Sequence, residues 1–163
     1  MDRELHRDTF APLRAVARRL ALDVLARVDG ASGRQSEALA RHRVHLVYMH
    51  ALEAREEMPF RVLLSALSKK HRFISHSEAV VRVLSGSIDA PYVSFSFDDG
   101  LKSCLRAARI LDEFSAPACF YVCPPMIGET DRGAIEKYCT RNLRIPPADF
   151  MNWNEICELL RRG

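Results

Sequence analysis

The sequence lacks the long apolar runs that mark membrane-spanning segments. No uninterrupted apolar stretch among its 163 residues approaches the roughly 20 residues that a transmembrane helix needs. The amino-terminal residues MDRELHRDTFAPLRAVARRL also lack the apolar core of a signal peptide, because arginines and acidic residues interrupt every apolar run. These absences predict a cytoplasmic protein, with peripheral membrane association as the alternative.

Charge and cysteine patterns exclude several other classes of protein. The net charge is only +3 and the sequence has no polybasic block, so nucleic-acid binding is not expected. The five cysteines form no C-x-x-C pair and no Cys/His spacing typical of zinc, which favours reduced packing residues over a disulfide framework. With 48% hydrophobic and 28% charged residues, the composition is typical of a globular protein.

Residues 1 to 40 are predicted to form an amphipathic helical extension and a linker. From residue 9 to residue 28, apolar side chains recur at helical spacing with several arginines between them. Acidic residues dilute the basic face, so packing on the protein's own domain is favoured over binding to a membrane surface. The GASG sequence at 30 to 33 then predicts a linker over residues 31 to 41.

Residues 41 to 163 alternate between strand and helix patterns, which predicts an α/β fold with a parallel sheet. The predicted strands are HLVYMH (45–50), HRFIS (71–75), YVSFSF (92–97) and ACFYV (118–122). The predicted helices cover 58–70, 77–84, 101–114 and 153–162, with Ser77 capping the second and an Asn152–Glu155 capping box opening the last. The segment from 128 to 147 is predicted to be a long, charged loop.

SFSFDDG, residues 94 to 100, places two carboxylates directly after the clearest predicted strand. The carboxyl ends of parallel strands carry the chemistry in many α/β proteins. Two adjacent carboxylates at such an edge repel each other, and a divalent cation relieves that repulsion while one carboxylate accepts a proton from metal-bound water. The alternative is a structural turn in which Asp98 or Asp99 caps the next helix and Gly100 turns the chain.

Two further side chains are candidates for this edge. His50 ends the first predicted strand, and it either lines an active site or bonds to nearby backbone, with equal weight for the two interpretations. Trp153 either stacks on a sugar ring or, as the favoured interpretation, packs in the core from an amphipathic helix. The other histidines are expected to be surface or packing residues.

The order of these segments, from about residue 44 to residue 163, resembles the polysaccharide deacetylases that share the NodB homology domain. SFSFDDG is similar to the family's T-F-D-D-G motif, with Ser96 in the threonine position. LVYMH resembles an early strand that ends in Tyr-His, with Met49 in place of the tyrosine. RAARILDEFSAPACFYV resembles the following helix and strand, and MNWNEICELLRRG resembles the family's Trp-containing helix.

The resemblance implies a metal-dependent hydrolase that removes acetyl groups from sugars by cleaving carbon-nitrogen bonds outside peptides. It implies that Asp98 is the general base and that Asp99 is a ligand of a divalent metal, zinc in most cases. It also implies an acetylated oligosaccharide or polysaccharide as substrate. The fold that it implies is a distorted (β/α) barrel, present in part over residues 41 to 163 and preceded by the helical extension.

The sequence departs from the family in its histidines. All six precede Asp98, whereas the family's H-x-x-x-H metal motif follows the Trp-containing helix. We therefore expect an amino-terminal part of a deacetylase domain, inactive as this chain, with an exposed strand edge that favours self-association. The alternatives are a non-catalytic remnant that binds carbohydrate or a partner chain, and an unrelated α/β domain with a structural DDG turn.

Overall fold

The computed structural model describes residues 23–25, 27–28, 30–33, 37–38 and 40–162, and the chain divides into two compact units, Met1–Ala40 and Arg41–Gly163. The predicted helix over 9–28 falls mainly outside the described residues. Within the predicted linker over 31–41, residues 31, 32, 37, 38 and 40 are helical, and the first unit ends at Ala40. Gly33 has a left-handed φ of 69° and interrupts the described helical residues. This interruption is what the GASG sequence at 30–33 predicted at that position.

The second unit alternates strands and helices, as predicted. Its strands are β1 (Val44–Met49), β2 (Arg72–Phe73), β3 (Tyr92–Phe97) and β4 (Ala118–Phe120). Its described α-helices are α1 (Glu57–Ser68), α2 (His76–Ser85), α3 (Cys104–Glu113), α4 (Arg132–Tyr138) and α5 (Trp153–Arg162). Short 3₁₀ turns cover Ala54–Glu56 and Pro124–Met126, and a π-helical turn, Cys139–Leu143, follows α4. Across the described part of the chain, each helix is too short or too polar to cross a lipid bilayer.

Strand β3 is the centre of a parallel sheet. It pairs with β1 along its whole length, with β2 over its first two residues and with β4 over its last three. The N–H groups of Arg72 and Tyr121 donate to the carbonyls of Pro91 and Phe97. Because those two carbonyls are an even number of residues apart, β2 and β4 lie along the same edge of β3, and β1 lies along the other.

Helices cover both faces of this sheet. Val93, Phe95 and Phe97 pack against α1 and α3 in the main core. Alternate side chains of a strand point to opposite faces, so Tyr92 faces the other way, where it packs with Ala79 of α2 in a second cluster. The connection β1–α1–β2 crosses the sheet from β1 past β3 to β2, and the connection β2–α2–β3 returns in the opposite direction. Because crossovers between parallel strands are right-handed, these opposite directions place α1 and α2 on opposite faces of the sheet.

The described strands form an open sheet, and they do not close into a barrel. The mixed α/β class and the parallel pairing are therefore confirmed. Strand β1 pairs only with β3 among the described residues, so its second edge carries backbone groups that no neighbouring strand of this sheet engages.

Local capping fixes two helix starts. The predicted capping box of α5 is confirmed, because the Glu155 N–H donates to Asn152 Oδ1 and the Asn152 N–H donates to Glu155 Oε2, both at 2.9 Å. The predicted Ser77 cap of α2 is wrong. Ser75 has the extended backbone of a cap residue and its Oγ accepts from the Glu78 N–H at 3.1 Å, so Ser77 lies inside the helix.

Two other sequence-based expectations are wrong. The segment from 128 to 147 is not a plain loop, because Asp131 caps α4 through a 2.9 Å bond from the Gly133 N–H and the π-helical turn follows. Trp153 is not a core residue, since 55% of it is exposed at the first position of α5. Later positions of that helix, Ile156 and Leu159, line an apolar cavity of about 310 Å³ beside β4 instead.

Candidate active site

Asp98 and Asp99 lie where β3 ends, at the carboxyl edge of the parallel sheet. The Asp98 N–H donates to the Met49 carbonyl at 2.9 Å and continues the pairing with β1 by one step. Asp99 and Gly100 then take left-handed φ values of 72° and 74°, which turn the chain sharply toward α3. The predicted placement of both carboxylates at the end of a parallel strand is confirmed.

The turn is held from the opposite side by a second segment of backbone. The Met151 N–H donates to the Gly100 carbonyl at 2.9 Å, and the Met151 carbonyl accepts from the Gly128 N–H at the same distance. A Cβ atom on Gly100 would lie 3.0 Å from Ile127 Cδ1 and 3.3 Å from Val122 Cβ. Glycine is therefore required at this position both by its φ and by the space around it.

His50 follows β1 and meets Asp99 at this edge. Its Nδ1 lies 3.1 Å from Asp99 Oδ2, although 49 residues separate them in sequence. An ionised carboxylate can only accept, so Nδ1 is the donor in this contact, and the ring is largely exposed. The predicted position of His50 at the same edge is confirmed, while the chemical roles of these three residues stay predictions.

Strand register arranges the surrounding side chains in two rows on one face of the sheet. Tyr48, Ser96 and Cys119 are direct neighbours across β1, β3 and β4. Two residues further along each strand, the same face carries His50, Asp98 and Tyr121, because the period of a strand is two residues. The backbone bonds that continue both pairings past Met49 and Phe97 support this second row.

The negative charges of Asp98 and Asp99 contribute to raised pKa values of neighbouring side chains. Burial, followed by the negative charges of Asp99 and Asp98, raises the pKa of the Cys104 thiol to about 12, so this residue stays protonated. Its Sγ donates to the His50 carbonyl at 3.3 Å and fixes the backbone of that residue. The charge and hydrogen bonding of Cys119 chiefly raise the pKa of the Tyr121 hydroxyl, with burial and the charge of Asp98 as smaller causes.

Tyr138 of α4 packs against the main core, where its ring contacts Phe150. Its hydroxyl donates to Cys123 Sγ at 3.1 Å. That contact, together with burial and the nearby charge of Asp99, raises the pKa of Tyr138 to about 12, so the phenol is a hydrogen-bond donor rather than a base. The carboxylate of Asp98 itself has no hydrogen-bond or ion-pair partner among the described residues, which leaves it available to accept a proton.

Two side chains at this edge are possible donors to a metal ion. Asp99 and His50 supply one carboxylate and one imidazole at hydrogen-bonding distance from each other. Over the residues whose placement is described, no group of three or more histidine, cysteine, aspartate or glutamate side chains could hold a metal ion. Zinc sites use three or four protein ligands, so these two donors do not by themselves fit a zinc site.

The remaining histidines of the second unit make two aromatic contacts, and the sequence did not predict the second of them. His45 and His71 pack edge to face at 5.4 Å on the face that carries the main core, as expected of packing residues. His76, at the start of α2, packs edge to face against Tyr121 at 5.9 Å. The signal that could have found Tyr48 and Tyr121 is the alternation of the strands, which places both on the face of Asp98.

Comparisons with known proteins add one structural likeness. No family model matches the chain, and no curated protein matches it. Among solved structures, the chain is similar to the BpsB deacetylase domain from Bordetella bronchiseptica at 19% identity and a TM-score of 0.45, over 77% of this chain and 52% of that one. The chain thus spans about half the length of that domain, and a likeness of this size leaves the site to be argued from this chain's own residues.

Proposed function

We propose that this chain carries part of the active site of a hydrolase that removes acetyl groups from acetylated sugars. The observation that supports this most is the meeting of His50 and Asp99 beside Asp98 at the carboxyl edge of the sheet. The type of reaction is inferred from the resemblance of SFSFDDG and its flanking segments to the polysaccharide deacetylases. Under this proposal the open sheet is one part of a distorted (β/α) barrel.

The side chains offer complementary partners for an N-acetyl group. An acetamide presents one N–H donor and one carbonyl acceptor. The unpartnered Asp98 carboxylate can accept from a donor, and it is the proposed general base for the water that attacks the carbonyl carbon. Asp99 orients the His50 ring, and this ring in its protonated form would donate from Nε2 to the carbonyl.

The metal stays a separate proposal. In this family of hydrolases a divalent ion would polarise the carbonyl oxygen, and Asp99 is the proposed ligand from this chain. Because two donors fall short of a zinc site, further ligands are required for tight binding.

The main alternative is that DDG is only a turn. The contacts of Asp99 argue against this alternative, because its carboxylate meets His50 while no side chain caps the start of α3, where Ser103 is the cap residue. A contact between a carboxylate and a histidine that are distant in sequence favours a use of the side chain beyond forming the turn. Carbohydrate binding without turnover remains the second candidate, since the same contacts would serve it.

Calorimetric binding of N-acetylglucosamine oligomers tests the proposal. We expect the chain to prefer the acetylated oligomer over its deacetylated counterpart. We expect Asp98→Ala and His50→Ala each to weaken that binding about tenfold, the usual cost of a hydrogen bond to a charged group. Asp112→Ala is the matched control, because Asp112 lies near the far end of α3 and away from this edge. Equal affinity for both oligomers, or no effect of either substitution, would contradict the proposal.

Acetate release gives a further prediction. With two metal donors at the site, we expect the 163-residue chain to release no acetate from these oligomers, with or without added zinc or cobalt. Enzymatic detection of free acetate measures this. Metal-dependent release that Asp98→Ala abolishes would show instead that the site is completed by residues other than the two donors described.

A further inference from the structure

Two exposed tyrosines flank the site across the width of the sheet. Tyr48 on β1 is 70% exposed, and Tyr121 directly after β4 is 49% exposed. Both lie on the sheet face that carries Asp98, so their exposed rings are within reach of a ligand bound at this carboxylate.

Strand register places the two rings on opposite sides of Asp98. β1 and β4 pair with the two edges of β3, and Tyr121 lies two residues further along the sheet than Tyr48. With strands about 4.8 Å apart and a rise of about 3.3 Å per residue, the two tyrosine backbones are separated by about 12 Å. The direct neighbour of Tyr48 on β3 is Ser96, whose side chain is small and only 8% exposed. The two exposed tyrosine rings on this face therefore flank the buried small side chains of β3.

Each ring is positioned by a histidine. Tyr48 packs edge to face against His50 at a centroid distance of 6.0 Å, and Tyr121 packs edge to face against His76 at 5.9 Å. His50 is in turn bonded to Asp99, and His76 belongs to the first turn of α2. Such contacts reduce the number of ring orientations, so little conformational entropy is lost when a ligand stacks on either ring.

We infer that Tyr48 and Tyr121 are stacking platforms for the sugar rings on either side of the acetylated residue held at Asp98. The inference rests on the proposed function and adds two positions that recognise a chain of sugars rather than a single one. The π-face of an aromatic ring carries negative charge density, and the C–H groups on one face of a sugar ring complement it. The polar substituents of the sugar stay in water at the ring edges, which suits exposed tyrosines.

The test compares N-acetylglucosamine with its tetramer by ligand-observed NMR and calorimetry. We expect Tyr48→Ala and Tyr121→Ala each to weaken binding of the tetramer about tenfold, the effect of removing an aromatic contact residue, and to change binding of the monosaccharide less than about twofold. Tyr48→Phe and Tyr121→Phe keep the ring and should bind the tetramer as the unaltered chain does. Val62→Ala is the control, because Val62 is exposed on α1, across the sheet from this face.

The outcomes separate this inference from the proposed function. If Asp98→Ala weakens tetramer binding and neither Tyr→Ala substitution does, the stacking inference is overturned and the proposed function stands. If the Phe variants lose as much affinity as the Ala variants, recognition depends on the hydroxyl and stacking is again overturned. If no acetylated sugar binds the unaltered chain, both are overturned. Circular dichroism of each variant distinguishes lost contacts from lost folding.

Discussion

Asp99 and Gly100 show how two residues can shape a site through their backbone alone. Both are left-handed, and this pair of conformations turns the Asp99 carboxylate back toward His50 instead of along the strand. Asparagine, aspartate and glycine are the residues that reach this region most readily. The sequence Asp-Gly at the end of a strand therefore favours this turn, and the Met151 N–H bond to the Gly100 carbonyl holds it.

The space around Gly100 gives a prediction at this scale. Gly100→Ala should lower the free energy of unfolding by about 2–4 kcal/mol, because it adds left-handed strain and overpacks against Val122 and Ile127. Gly86→Ala is the matched control. Gly86 has a φ of 72° but nothing within 4 Å of an added Cβ, so strain alone should cost about 1–2 kcal/mol. Urea denaturation measures both, and equal losses would show that the space around Gly100 can relax.

Individual residues of the site differed in how well the sequence predicted them. Asp98 and Asp99 could be placed because a hydrophobic run of six residues precedes them and parallel strands end at a common edge. His50 could be placed for the same reason. The contact between Tyr121 and His76 could not, since His76 precedes Tyr121 by 45 residues and only the packing of α2 on the sheet brings them together.

At the scale of elements, a bidentate ion pair joins two helices of the same layer. Arg61 of α1 donates from Nε and Nη2 to the two carboxylate oxygens of Glu113 at the end of α3, at 2.9 and 2.6 Å. This hydrogen bonding lowers the pKa of Glu113 below its ordinary value. A carboxyl whose pKa is lower in the folded state stabilises the fold above its unfolded pKa, and that contribution is lost as the pH falls through the folded value.

Glu113→Gln should remove this pH-dependent contribution. We expect the variant to melt at a lower temperature than the unaltered chain at pH 7. The two melting temperatures should converge as the pH falls from about 5 to about 3, through the usual range of glutamate titration. Glu136→Gln is the control, because Glu136 is exposed on α4 and makes no ion pair among the described residues. A difference in melting temperature that is the same at pH 7 and pH 3 would show that the charge of Glu113 is not responsible.

Element boundaries could be predicted where a local signal fixed them. The strand β3 and the capping box of α5 were predicted to the residue, because a continuous apolar run and a reciprocal Asn–Glu pair are local features. The α4 helix was missed, since its seven residues contain a glycine and follow a polar segment that is equally typical of a loop. Its position depends on Ile135, which is buried in the main core.

At the scale of the whole molecule, the open sheet leaves β1 with a free edge. In β1 the backbone groups of Arg43 and Met49 face β3, so by the two-residue period those of Val44 and Leu46 face away. The Leu46 side chain is more than half exposed beside this edge. An apolar edge strand with few charges is a template for pairing with another chain.

We therefore expect the chain to self-associate with increasing concentration through β1. Leu46→Lys should shift the sedimentation profile toward monomer, because a lysine beside an edge strand opposes pairing between copies. Val62→Lys, which adds the same charge at an exposed position of α1, should leave the profile unchanged. A monomer at every concentration, or equal effects of the two lysines, would contradict association through this edge.

The most direct test of the central claim is an NMR titration of amide resonances with acetylated and deacetylated glucosamine oligomers. If the edge formed by His50, Asp98 and Asp99 recognises acetylated sugars, the acetylated oligomer should shift the amides of residues 48–50, 96–100 and 119–121. The deacetylated oligomer should leave those amides in place. Shifts that occur elsewhere in the chain, or that are the same for both oligomers, would contradict the assignment of this edge as the site.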